Sequence, residues 1–267
     1  MTSPDFTGKI ALIAGASRGI GAETARAFAS AGAAVVLASR RQPALDAVAG
    51  TIADAGGLVL AMATDIADAA AMERLVAAAV SRFGRLDCAF NNATDGPMPA
   101  PLADLDPDAF DIGIRTNIRG TFIGMKYQIP AMLAGGGGAI VNMASLAGIR
   151  AVSGLGAYVS GKAGLIGLTQ AAALDYADRG IRINVVAPGP ILTENILRAG
   201  PEAQRQAAHA VPMRRIGSAS EVASAVLWLC SDAASFITGV TLPIDGGQSA
   251  GTKVERNFRP APMQSTP

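Results

Sequence analysis

The sequence predicts an α/β fold: a single-domain, doubly wound parallel sheet of about seven strands with helices on both faces. Three observations predict it. Short apolar runs of strand length alternate with longer helical patterns along the chain. The runs are apolar throughout rather than at every second residue, as expected of strands covered on both faces. The first run also empties directly into a glycine-rich turn that opens a helix.

The elements follow in order. Residues 9–14 (KIALIA) read as a buried strand ended by a glycine loop, and Ile20, Ala27, Phe28 and Ala31 then recur at helical spacing up to Gly32. Residues 33–39 (AAVVLAS) form a second strand, and a helix ending at Gly56-Gly57 leads to a third at 58–64. Residues 86–91, 139–144, 182–187 and 240–244 continue the series. Between them, Asp106-Pro107 is a helix start with proline at the first helical position, and Ser218 with Glu221 fits a capping box. Right-handed crossovers between parallel strands favour the doubly wound arrangement. One domain is expected over residues 1–250, followed by a polar, proline-containing tail at 251–267 that either moves freely or lies along a neighbouring subunit.

Bulk properties remove several functional classes. Half of the 267 residues are hydrophobic, which excludes general disorder, yet no apolar run reaches the ~18 residues of a membrane span. The net charge of +1 is spread along the chain and gives no electrostatic case for nucleic acid or an anionic membrane. Cys88 and Cys230 lack metal-ligand spacing and read as buried thiols, so no metal site is expected. With no signal-like N-terminus, the expected setting is cytoplasmic.

The glycine loop Gly15-Ala16-Ser17-Arg18-Gly19-Ile20-Gly21 sits where a dinucleotide pyrophosphate would meet a helix N-terminus, the Rossmann-like arrangement. Glycines let the backbone turn sharply and approach the phosphates closely. The end of the second strand decides which dinucleotide fits. A carboxylate there would hold the ribose hydroxyls of NAD(H); this chain has Ser39-Arg40-Arg41 instead, with Arg18 in the loop. Guanidinium groups match phosphate oxygens, so NADP(H) is favoured over NAD(H). Asp65, after the third strand, can accept from the adenine amino group or serve simply as a loop aspartate. Asn91-Asn92-Ala93 ends the fourth strand at the same sheet edge, bordering the cofactor or bracing neighbouring loops.

Tyr158 and Lys162 lie four apart in the helical pattern at 157–173 and so share a face. A phenol of ordinary pKa near 10 is a poor base at neutral pH, and a neighbouring ammonium would draw it down. Ser145, thirteen residues before Tyr158, follows the strand 139–144 at the carboxyl edge, where its hydroxyl can donate to a substrate oxygen that gains charge.

With these pieces in order the chain resembles the short-chain dehydrogenase/reductase family over about residues 9–247. The resemblance rests on GASRGIG at 15–21, NNA at 91–93, Asn117, Ser145, Tyr158 with Lys162, Pro188-Gly189, Thr193 and IDGG at 244–247. It implies that Tyr158 is the general acid/base, that Ser145 orients the substrate oxygen, and that Lys162 also holds the nicotinamide ribose. It further implies that Asn117 holds a water linking Lys162 to solvent, and that Thr193 and the backbone near Ile191 fix the carboxamide. Ile66, Asn92, Ala93, Tyr158, Pro188 and Gly189 join the cofactor-binding set. A homotetramer is the family expectation. The chain departs from the family pattern at Ala14, where threonine is usual, and at Thr94, where glycine is usual.

The substrate is expected to meet segments 94–105, 146–157 and 190–217. These carry Met98, Leu146, Ile149, Val152, Leu155, Ile191, Leu192, Ile196, Leu197 and Met213, which suit a mostly apolar ketone or secondary alcohol or else pack the loops down. Segment 190–217 reads as a lid. Arg150 and Arg198 can meet a carboxylate or phosphate on a substrate but read rather as surface residues, and His209 reads as a solvated residue. The rival functions are an epimerase or dehydratase that retains its cofactor, and a redox sensor that binds NADP(H) without turnover. The complete Ser-Tyr-Lys set weighs against the sensor, and the short lid weighs against an epimerase.

Overall fold

The structure is a computed structural model that describes residues 4–251; the tail after Gly251 lies outside the described residues. Seven strands are described: β1 (Ile10–Ala14), β2 (Ala34–Ser39), β3 (Val59–Ala63), β4 (Cys88–Asn91), β5 (Gly138–Met143), β6 (Ile181–Pro188) and β7 (Thr241–Ile244). They form one sheet in the order β3-β2-β1-β4-β5-β6-β7, with every pairing parallel. The expected strand count, direction and winding therefore hold, with ends shifted by a residue or so. The inner strands β1, β2, β4 and β5 are almost wholly buried, as apolar runs require. The edge strand β3 is only half-buried, although its sequence is equally apolar.

The helices are α1 (Gly19–Ser30), α2 (Gln42–Asp54), α3 (Ala69–Phe83), α4 (Pro107–Ile114), α5 (Thr121–Ala134), α6 (Gly156–Tyr176), α7 (Glu194–Arg198), α8 (Gly200–Ala210) and α9 (Ala219–Cys230). Two large core clusters lie on opposite sheet faces. Phe28, Leu37, Phe90, Val141 and Val226 belong to one, and Leu12, Val36, Leu75, Met132 and Ile140 to the other. Asp106 accepts from the amides of Asp108 and Ala109, and Ser218 with Glu221 closes a full capping box, so both start signals act as read. Cys88 and Cys230 are buried free thiols. Among the described residues no helix is long and apolar enough to cross a membrane.

Two features aim α6 at the carboxyl edge. A buried amide network ties the strands to the helices: Asn91 Nδ2 donates to Asn142 Oδ1 (2.8 Å) and Gln128 Oε1 (3.1 Å), and Asn142 Nδ2 donates to Thr169 Oγ1 on α6 (2.9 Å). Every partner is satisfied, so the network fixes orientation without leaving buried polar groups exposed to apolar surroundings. The second feature is close approach. A Cβ on Gly161 would stand 2.9 Å from Asn117 Cβ, so α6 can lie against the segment 115–120 only because residue 161 is glycine.

That segment, Arg115–Gly120, is a π-helical turn between α4 and α5. One extra residue per turn rotates the following helix and drives the Asn117 side chain inward, where it is fully buried.

Candidate active site

The carboxyl ends of the strands surround a cleft of about 660 Å³, at the point where the order reverses between β1 and β4. Gly15, Ser17, Arg18, Gly19 and Ile20 form one wall. Gly15 has φ +80°, and a Cβ there would lie 2.8 Å from the Ala93 backbone; a Cβ on Gly21 would lie 2.2 Å from the Gly15 carbonyl oxygen. Asn92 Nδ2 donates to that same carbonyl at 3.0 Å, clamping the loop to the end of β4. Gly21 thus shapes the loop from behind rather than facing the cleft.

The start of α1, like those of α2, α5, α6 and α8, has no side-chain cap, whereas α3, α4 and α9 are capped by Asp68, Asp106 and Ser218. What sets α1 apart is its place: its first residues, Gly19 and Ile20, line the cleft. An uncapped helix N-terminus beside a glycine cradle fits a pyrophosphate, so the donor set suits a dinucleotide.

Farther along, Ser39, Arg40, Arg41, Asp65 and Ile66 line the cleft. Arg40 Nη2 lies 3.1 Å from Asp95 Oδ2, while Arg115 Nη2 lies 3.3 Å from Asp65 Oδ2. The other Asp65 oxygen accepts from the Ala67 amide at 2.9 Å, so this carboxylate is held in place by protein groups.

Ser145, Tyr158 and Lys162 meet on the opposite wall. Ser145 Oγ accepts from the Ala147 amide at 3.1 Å, which leaves the hydroxyl proton for another acceptor. Lys162 is buried, with Nζ donating to the Met143 carbonyl at 2.7 Å and standing 5.7 Å from the centre of the Tyr158 ring. Burial pushes the Lys162 ammonium down to about 7. Burial also raises the Tyr158 phenol, against a smaller lowering by a hydrogen bond with Ser145. The spacing argument expects the ammonium to lower the phenol; here burial dominates both groups and shifts each toward its neutral form.

Asn117 does not line the cleft. Its Nδ2 donates to the carbonyls of Asp95 (2.8 Å) and Gly113 (2.9 Å), and its Oδ1 accepts from Thr94 Oγ1 (2.8 Å). The Thr94 departure is thereby explained, since its hydroxyl completes the bonding of a fully buried amide.

A family model described as enoyl-(acyl carrier protein) reductase matches residues 15–249. The A-factor type gamma-butyrolactone 1'-reductase (1S-forming) of Streptomyces virginiae is 40% identical over 246 residues, 91% of this chain and 96% of its own. The chain belongs to the short-chain dehydrogenase/reductase family. Cyclohexanol dehydrogenase of Acinetobacter sp. (strain SE19) is 41% identical, with 93% of this chain and 98% of that protein covered. The crystal structure of levodione reductase superposes with a TM-score of 0.89 at 35% identity, covering 92% of this chain and all of that one. Membership makes the protein an oxidoreductase of a family that works with a nicotinamide cofactor and small alcohols or ketones.

Within this short-chain dehydrogenase/reductase, Asn92, Ala93, Pro188, Gly189, Ile191 and Thr193 also line the cleft, so all the expected cofactor residues except Gly21 face it. Sequence reasoning missed Glu194, whose Oε2 lies 3.5 Å from Arg18 Nη1 and 3.3 Å from Arg198 Nη2. The only signal was its place beside Thr193. Arg150 is exposed, with its guanidinium on the Gln248 carbonyl at 2.7 Å. The exposed His209 faces Arg214 Nη1 at 2.6 Å. Of the substrate-side apolar residues, Met98, Ile149, Val152, Leu192, Leu197 and Met213 remain exposed while Ile191 is buried. Leu146, Leu155 and Ile196 are half-buried, so some of these side chains pack the loops down while the others stay open to the cleft side or solvent. Parallel bridges Ala100–Leu155 and Ile191–Gly217 tie the loop bases together.

Proposed function

We propose that the protein transfers a hydride between NADP(H) and a small, mostly apolar ketone or secondary alcohol, with Tyr158 as general acid/base. One observation carries this reading: the Ser145, Tyr158 and Lys162 side chains face the same cleft as the glycine loop and the Arg40–Arg41 pair. The exposed apolar rim fits the substrate class, and one relative's name, cyclohexanol dehydrogenase, denotes a compact secondary alcohol.

NADPH, when bound, supplies the hydride for reduction. Ser145 hydrogen-bonds the substrate oxygen through its hydroxyl, and Tyr158 delivers the one proton that makes the alcohol; in oxidation the phenolate takes it back. Lys162 holds the nicotinamide ribose and replenishes the phenol's proton. Because the Asn117 amide is fully engaged, a relay water would sit on its main-chain carbonyl, which already accepts from Thr121 Oγ1 at 3.0 Å. Thr193 and the Ile191 backbone orient the carboxamide. Asp65 and Ile66 border the adenine. The family expectation of a homotetramer belongs to the same proposal; Ile112, Phe122 and Leu174 on α4, α5 and α6 offer exposed apolar surface for it, and a light-scattering mass decides it.

The cofactor assignment is tested by titrating NADPH and NADH side by side. Arg40→Asp is expected to weaken NADPH by about tenfold or more, the scale of one charge-assisted phosphate contact, and to spare NADH. Equal effects on the two would remove the basis for NADP(H). Segment 190–217, whose ends are joined at Ile191–Gly217, acts as a lid. Added NADPH is expected to protect it from limited proteolysis, and unchanged cleavage there would count against closure.

A further inference from the structure

Arg40 is already engaged. Its guanidinium lies 3.1 Å from the Asp95 carboxylate, with Arg40 two-thirds exposed (66%) and Asp95 one-third exposed (33%). Arg40 follows β2 and Asp95 follows β4, and these strands flank β1. The pair therefore spans the carboxyl end of β1, where the glycine loop begins. Asp95 is held from two sides: its Oδ1 accepts from the Gly96 amide at 3.0 Å, and its backbone carbonyl accepts from Asn117 Nδ2 at 2.8 Å. Its carboxylate is a positioned neighbour of Arg40.

A 2′-phosphate and the Asp95 carboxylate seek the same guanidinium. A phosphate that wins the contact breaks the ion pair and leaves a carboxylate beside its own negative charge. NADH carries no phosphate at this position and leaves the pair intact. We infer that Asp95 is a specificity-determining residue, whose carboxylate competes with the 2′-phosphate for Arg40 and restrains the NADP(H) preference that Arg40 and Arg41 create. The inference rests on the reading of this cleft as a dinucleotide site.

The test measures dissociation constants for NADPH and NADH on the wild-type protein, Asp95→Asn, Arg40→Ala and the double variant. Asparagine keeps an oxygen for the Gly96 amide, and NADH binding reports that the fold is intact. Asp95→Asn is expected to tighten NADPH about five- to tenfold and to change NADH less than about twofold, by loss of a half-exposed ion pair and of like-charge repulsion. In the Arg40→Ala background the gain is expected to shrink to about twofold or less, because most of it passes through Arg40. Added salt is expected to reduce it. If NADPH is unaffected, if both nucleotides shift alike, or if the full gain persists without Arg40, the competition is overturned while the dinucleotide reading stands. A wild-type protein that binds neither nucleotide overturns both.

Discussion

Replacing Tyr158 with phenylalanine is expected to lower kcat for ketone reduction about a thousandfold while leaving NADPH affinity within about twofold, the scale of a lost general acid. Phenylalanine keeps the ring and removes only the hydroxyl, so packing against α6 and the cleft wall is preserved. Burial keeps the phenol protonated through the neutral range, which is the form that reduction consumes. The phenol alone would leave reduction nearly flat from pH 6 to 8, but Lys162, pushed down to about 7 and proposed to resupply that proton, is expected to make the rate fall as pH rises through about 7. Alcohol oxidation, which needs the phenolate, should rise with pH over the same range. Steady-state rates and a nucleotide fluorescence titration check both halves. A variant that retains rates within tenfold would move the proton donor elsewhere. A variant that loses NADPH as well would give Tyr158 a binding role instead.

The parts of this design that were legible in the sequence are those that depend on local pattern. The apolar runs from Ile10 and Ala34 are strands because a buried parallel strand needs nothing beyond an unbroken apolar stretch and a turn. Asp106 and Ser218 announce their helices because a cap acts within three residues. The glycine loop and the Tyr158–Lys162 spacing are likewise short-range.

What stayed hidden depends on contacts between distant segments. The π-helical turn at Arg115–Gly120 has no compositional mark, yet it buries Asn117 and converts Thr94 from a departure into a partner. The Arg40–Asp95 and Arg18–Glu194 pairs join residues far apart in the chain. The raising of the Tyr158 phenol by desolvation could not be read from spacing, because burial is set by the whole fold.

Lys162→Met is expected to remove most reductase activity and also to change how stability depends on pH. In the folded protein the ammonium is pushed from the ordinary 10.5 down to about 7 by burial. The unfolded chain keeps the ordinary value, so between these limits it binds more protons than the folded protein, and stability rises with pH. The contribution is complete above 10.5 and is lost as pH falls toward 7. Between pH 7 and 9 it amounts to about 2 kcal/mol. Tyr158 and Cys88, both raised by their surroundings, act in the opposite sense from about pH 8 upward, but they are shared by wild type and variant, so the comparison isolates the lysine.

Methionine is similar in length, carries no charge, and leaves the Met143 carbonyl without its side-chain donor. Denaturant midpoints for Lys162→Met should therefore match or exceed wild type at pH 6 to 7, and the difference should shrink by about 2 kcal/mol of stability by pH 9. Parallel wild-type and variant curves would mean that the ammonium is not held down by burial. Unlike Tyr158→Phe, this variant should also weaken NADPH, because the same nitrogen is proposed to hold the nicotinamide ribose. A lysine that costs stability at neutral pH yet is required for both binding and turnover is what a functional, rather than structural, buried charge should look like.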